Sequence, residues 1–263
     1  MSALFVHAVG INATGLSDWA RARDVLRGAA TFEAVEPLPY QPALLPPNER
    51  RRATAAVRQA FRAAEDALST YAGPPDRLAA VFASSDADLG IINRISLALT
   101  ESARAVSPTD FHNSVHNAAA GYWSIATNSQ RPSTTVCAYD ASFAAGLLEA
   151  ALLTGADGED TLLVCYDVPG PPLLQAKRAF GCAASVALVL GREPLPASLA
   201  RLRIVTGNTA ETHFGDAALE TLRRANPATR ALPLLRLLAA REAGTVVLAL
   251  PGNLSLAVEV SPP

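Results

Sequence analysis

The chain has 263 residues, half of them hydrophobic, with a formal net charge of −2 at pH 7. A chain of this length buries roughly three quarters of its unfolded surface, so it needs no disulfide or metal staple to build a core. The near-neutral balance leaves no electrostatic footprint for nucleic acid or anionic lipid, and no apolar run approaches the ~20 residues of a membrane span.

Leu4 to Val9 alternates into a first strand, and the start of the chain lacks the basic residues and cleavage site of a secretory signal. Ser17 reads as the N-cap of a helix that Gly28 ends. Residues 37–47 are proline-rich and form a loop. The apolar stripe Ala56, Val57, Ala60, Phe61, Ala64, Ala67 and Leu68 predicts one long helix from Asn48 to about Tyr71. The charge run Glu49 to Arg52 at its start reads either as a solvated first turn or as a docking patch for an acidic partner. Residues 77–84 make a continuous apolar strand of the kind buried on both faces. A helix over residues 86–103, an irregular segment from Val106 to Asn113 and a helix from Ser114 to Thr127 follow.

The centre of the chain is Pro132 to Gly155. Thr134 to Ala138 is β-branched and apolar, a short buried strand, and Ala141 to Leu153 is an Ala- and Leu-rich helix expected to be buried almost all round. Between them, Tyr139-Asp140 forms a sharp strand-to-helix turn with a carboxylate at the helix mouth. Asp160 to Val168 is a buried strand with Gly181 to Leu190 as its antiparallel neighbour. Leu202 to Thr206 is a strand, residues 216–225 and 229–240 are helices, and a hairpin closes around Pro251-Gly252-Asn253. Alternating strands and helices without a low-complexity linker give an α/β class with a layered sheet core in a single domain over residues 1–263. Cys137, Cys165 and Cys182 are odd in number, widely spaced and placed in predicted strands, which predicts reduced core thiols in a cytoplasmic protein.

The run Val106 to Ala126, followed by Arg131-Pro-Ser-Thr-Thr-Val136, resembles the first half of a β-ketoacyl synthase. In that family a Ser-Pro loop leads to an Asn-x-x-x-Gly helix, a Gly-Pro-Ser strand and a Thr-Ala-Cys elbow. Residues 1–191 fit this pattern well and residues 199–263 form a reduced second half. More narrowly, the chain resembles the chain length factors of aryl polyene-type clusters. The resemblance implies a thiolase-like α-β-α-β-α sandwich with the elbow helix in its middle layer.

The departures decide the chemistry. The family's nucleophilic Cys falls on Asp140, and an acyl chain is taken from a carrier protein by a thiolate, for which a carboxylate is a poor substitute. Of the second half's histidines only His213 is present, and a weaker register places the family's first histidine on Asn208. No intact catalytic set is expected, and no cofactor. Asp140 reads either as a helix N-cap or as a plug or decarboxylation aid. Cys137 reads as a core thiol rather than a nucleophile, and Ser142 has no His or Asp placed to activate it.

Tunnel or interface residues implied by the resemblance are Phe111, His112, Asn113, His116, Asn117, Tyr139, Thr134, Thr135 and Val136. His112 and His116 lack a third ligand, so no metal is expected there. Tyr122 and Trp123 read as core or interface aromatics. The resulting expectation is a non-catalytic subunit that forms a heterodimer with a full-length β-ketoacyl synthase and works on chains held by acyl carrier protein. Two alternatives are a malonyl carrier-protein decarboxylase using Asp140 and a homodimeric binder of acyl groups or carrier protein.

Overall fold

A computed structural model describes residues 3–263; Met1 and Ser2 lie outside the described residues. In chain order the elements are β1 (Leu4–Asn12), α1 (Trp19–Leu26), α2 (Pro47–Arg52), α3 (Ala55–Leu68), β2 (Ala79–Ala83), α4 (Leu89–Thr100), α5 (Pro108–Asn113), α6 (Ala118–Thr127), β3 (Ser133–Val136), α7 (Ser142–Asp157), β4 (Thr161–Asp167), α8 (Pro172–Gln175), β5 (Ala184–Gly191), β6 (Ala200–Gly207), α9 (Ala217–Ala225), α10 (Leu232–Ala240), β7 (Gly244–Ala249) and β8 (Ser255–Ser261). The strands form one mixed sheet in the order β3-β2-β4-β5-β1-β6-β8-β7. Among the described residues only the β3-β2-β4 pairings are parallel. The two halves join where Leu4, Phe5 and Val6 of β1 pair with Leu202, Arg201 and Ala200 of β6.

Two apolar cores lie on opposite faces of the first five strands. On one face, Ala60, Phe61 and Ala64 of α3 and Trp123 of α6 pack on Phe82, Val164 and Val189. On the other, Phe143 and Leu147 of α7, Ala22 of α1 and Leu234, Leu235 and Leu238 of α10 fill the space between Val81, Leu163 and Leu188 and the second-half strands, through Ile204, Val246 and Val258. The layered α/β arrangement is the expected one. Residues of β6 alternate buried and exposed, with Arg201, Arg203 and Val205 facing outward, so this strand face carries no helical roof.

The two ends of the sheet are finished differently. β3 pairs on one side only, with β2. At the other end the segment at Thr212 lies along β7: its N–H donates to the Val247 carbonyl, and Val247 N–H donates to Thr212 Oγ1.

Several sequence expectations need correction. The helix expected from Asn48 to Tyr71 is two helices, because Ala53 adopts extended backbone angles and Thr54 then caps α3 at Val57 N. Asp18, not Ser17, caps α1. The segment read as irregular contains α5, capped by Ser107 with Pro108 in the first turn, and α6 begins only at Ala118. α7 is less enclosed than its composition suggested, since Leu152 is half exposed and Ala145, Leu148 and Glu149 are partly so.

Candidate functional site at the elbow

The backbone turns from β3 into α7 through Tyr139, whose φ of +53° lies in the left-handed region that side chains rarely occupy. Ser142 fastens this turn: its hydroxyl donates to the Tyr139 carbonyl at 2.7 Å and accepts from Ala138 N–H at 3.2 Å. Ser142 is fully buried, so it is a brace for the elbow and not a group facing the cavity.

Asp140 does not cap α7. The residue at the cap position is Ala141, without a side-chain bond, and the Asp140 carboxylate turns instead to arginines. Arg178 Nη1 donates to Asp140 Oδ1 at 2.7 Å, and Arg230 Nη2 stands 3.7 Å from Oδ2. A charge-assisted bond to a guanidinium fork outcompetes a helix N–H for a carboxylate within reach of both.

Arg178 organises this end of the molecule. Its Nε donates to Asp86 at 3.1 Å and its Nη2 to Ser85 Oγ at 2.7 Å. Its guanidinium carbon lies 3.6 Å from the Tyr139 ring centroid and 4.6 Å from that of Phe180, a sandwich between two aromatic faces. The Ser85-Asp86 turn is in turn held by Asp167, a buried carboxylate that accepts from Ser84 Oγ and from the N–H groups of Ser85 and Asp86. Burial pushes the Asp167 pKa up to about 7, against these hydrogen bonds.

Beside the elbow lies a cavity of about 540 Å³ whose lining includes Phe143, Ala144, Leu248 and Leu250 and whose charged members are Asp140, Glu211 and Arg230. Behind it, buried Arg223 donates to Glu211 at 3.0 Å and to Glu220 at 2.8 Å, and Arg223 in turn holds the Glu220 carboxyl well below its usual range. His213 is exposed and sits against Glu220 and Arg223. Asn208 is exposed, and Asp216 of the Gly-Asp pair caps α9. The elbow therefore carries an exposed carboxylate paired with Arg178.

The other predicted residues scatter. Phe111, His112 and Asn117 are exposed, and the His112 ring stands edge-on to Tyr122. His116 is half-buried and lies beyond the end of α5, so it and His112 do not share one helix face. Asn113 turns inward and donates to the carbonyls of Arg52 and Thr109, which takes it off the surface. Thr134, Thr135 and Val136 are half-buried on the edge strand β3. Tyr122 and Trp123 are core residues. Cys137 is exposed, because β3 ends at Val136, and its thiol donates to the Ser85 carbonyl. Of the three cysteines only Cys165 lies within a strand; Cys182 is buried just before β5. Among the described residues no helix is long and apolar enough to cross a membrane.

Sequence reasoning missed Arg178, Arg230 and Glu211. Arg230 did leave a trace, as the one charge in the run from Ala228 to Leu235. Arg178 left none, since it sits in the loop after α8 and its partners are 38 and 92 residues away in sequence.

No curated protein matches this sequence. Solved structures do. A chain of the ketosynthase ApeO in complex with its chain length factor ApeC from Xenorhabdus doucetiae superposes with a TM-score of 0.73 at 21% identity, over 98% of this chain and 100% of that one. A chain of the AntDE:AntF complex, a type II polyketide synthase acyl-carrier protein with its ketosynthase bound to the hexaketide, gives 0.76 at 12% identity over 100% and 99%. A β-ketoacyl synthase from Burkholderia phymatum gives 0.59 at 16% identity, over 92% of this chain but 71% of that one. At these identities the likeness concerns the fold alone. Residues 18–245 match the family described as β-ketoacyl synthase, N-terminal domain, and the chain belongs to that family.

Proposed function

We propose that the chain is a non-catalytic, chain-length-factor-type subunit that pairs with an active, cysteine-bearing β-ketoacyl synthase and shapes the acyl tunnel of the pair. The observation that carries this reading is the elbow: strand, left-handed turn and helix meet at Asp140, a carboxylate held by Arg178, where the resemblance to the family would put a cysteine. A subunit without a thiolate contributes through what it offers a partner. This one offers the unpaired edge of β3 and, on neighbouring elements, the exposed apolar side chains Phe111, Val115, Ile125 and Leu152. Such an edge beside apolar surface is what another chain covers. The solved complexes to which the chain is similar include a ketosynthase with its chain length factor and one with its acyl-carrier protein, which supports the same pairing and the same carrier here. The pathway class proposed is polyketide or fatty-acid-type elongation, of the aryl polyene kind, and the site of action is the cytoplasm.

Co-expression of the chain with the ketosynthase encoded beside it should give a stable 1:1 complex on size exclusion. Separate elution of the two at micromolar concentration would refute the pairing.

A further inference from the structure

We propose that residues 169–180, in the β4–β5 connection, form a lid over the elbow that Arg178 latches, and that opening it turns Asp140 from a paired carboxylate into a free one. This goes beyond the pairing role, since it is a motion within the chain and requires no partner.

The neck of the segment is fixed. Buried Asn226 donates through Nδ2 to the carbonyls of Asp167 at 3.1 Å and Cys182 at 3.0 Å, so one side chain ties both ends of the loop together. Gly181 N–H adds a bond to the Ala225 carbonyl at 2.8 Å. A loop pinned at its ends and little packed between them is a unit that opens locally.

Between those ends the body holds little of it. Pro169, Pro171 and Pro172 have no N–H to donate, α8 buries none of its four residues, and Leu173 is 76% exposed. The bond from Gln175 Nε2 to the Phe180 carbonyl stays inside the segment. Among the described residues, Arg178 is the one side chain of residues 169–180 that hydrogen-bonds outside them, to Asp86 at 3.1 Å and to Ser85 and Asp140 at 2.7 Å. These acceptors belong to the β2–α4 turn and to the elbow, so the latch joins the lid to both. Stacking of the guanidinium between Tyr139 and Phe180 spans the same gap, from the elbow to the foot of the lid. With the latch released, Asp140 is left with Arg230, whose Nη2 stands 3.7 Å away, beyond hydrogen-bond distance. The lid thus sets whether the mouth of the elbow cavity presents a neutralised or a bare carboxylate.

Lys177, beside the latch, is exposed and is the only lysine in the chain, so a lysine-specific endoprotease has one bond to cut, Lys177–Arg178. While Arg178 is held that bond is out of reach, and the cleavage rate reports the open population. Rates on the full chain are divided by those on peptides of residues 171–184 carrying the same substitution. Arg178→Gln should be cut at least about tenfold faster than wild type, and Asp140→Asn, which weakens one of three bonds, about threefold faster. Thermal unfolding of each variant checks its fold, and Asp140→Asn carries the test if Arg178→Gln does not fold. The wild-type rate should stay nearly flat in urea well below the unfolding midpoint, as a local opening requires. A normalised rate for the variant no faster than that of wild type overturns the proposal. So does a wild-type rate that climbs with urea as steeply as global unfolding. None of these outcomes involves the synthase partner, so failure here and failure of the pairing are read separately.

Discussion

Arg178 donates to Asp140 at 2.7 Å while its guanidinium carbon lies 3.6 Å from the centre of the Tyr139 ring. One side chain thereby pins the end of β2, the elbow and the β4–β5 connection together, through Asp86, Asp140 and its own loop. Arg178→Ala should cost about 2 kcal/mol, less than the loss of a fully buried pair because the Asp140 side chain is 48% exposed. Arg178→Lys should restore less than half of this, since an ammonium has neither the fork nor the stacking face. Urea unfolding midpoints at pH 7 check both; equal stability of wild type and Arg178→Ala would show the cluster to be ornamental.

Tyr139 combines a left-handed backbone with a ring stacked on Arg178. Two truncations separate these effects. Tyr139→Ala loses the ring and keeps the strained φ, whereas Tyr139→Gly loses the ring and relieves the strain. The glycine variant should be the more stable of the two by about 1 kcal/mol. The opposite order in thermal unfolding would place no strain at the elbow.

The strand–turn–helix at residues 133–157 was legible because β-branched residues, a polar turn and an Ala-Leu run each favour the element they form. The hairpin around Gly252 was legible for the same reason. Helix breaks were not: Ala53 carries nothing in its side chain that stops a helix, and Ser114, whose hydroxyl bonds back to the Phe111 carbonyl at the end of α5, is as common at a helix start as at a helix end. The fate of Asp140 was hidden for another reason. A carboxylate at a helix start has a local partner that sequence can see and, in Arg178, a distant one that it cannot. The exposure of Cys137 depended on β3 ending two residues earlier than its apolar run.

Asp167 makes stability depend on pH. Burial pushes its pKa up to about 7, whereas in the unfolded chain it lies near the ordinary ~3.9. The native chain therefore keeps a proton that the unfolded chain has released. The stability this group contributes is complete below about pH 4 and is lost as pH rises through about 7. Asp66, pushed up to about 6 by burial, acts in the same direction, so the comparison must be with Asp167→Asn. The unfolding free energy of wild type minus that of Asp167→Asn should fall between pH 4 and 8. A difference that rises over this range would contradict the assignment.

Gly10 lets α3 approach β1. A Cβ there would stand 2.0 Å from the Ala63 carbonyl oxygen and 2.6 Å from Ala67 N, both backbone atoms that cannot step aside. Gly10→Ala should destabilise by about 3 kcal/mol or prevent folding. Gly121→Ala, in α6 with open space around the added methyl, should instead stabilise by about 0.5–1 kcal/mol. Chemical denaturation of the pair distinguishes crowding from helix propensity.

The unlike ends of the sheet bear on stoichiometry. Strand addition propagates when both edges of a sheet are open, since each new chain then presents a fresh edge, and the product is a fibre. Here the β7 edge is already occupied by the segment at Thr212, through both hydrogen-bonding groups of Val247. Growth has one free terminus, at β3, and a chain joined there by another of the same build exhausts it. The cover at Val247 thus obstructs a second strand at β7 and leaves β3 as the edge open along its length, so an added strand has one side of the sheet to choose.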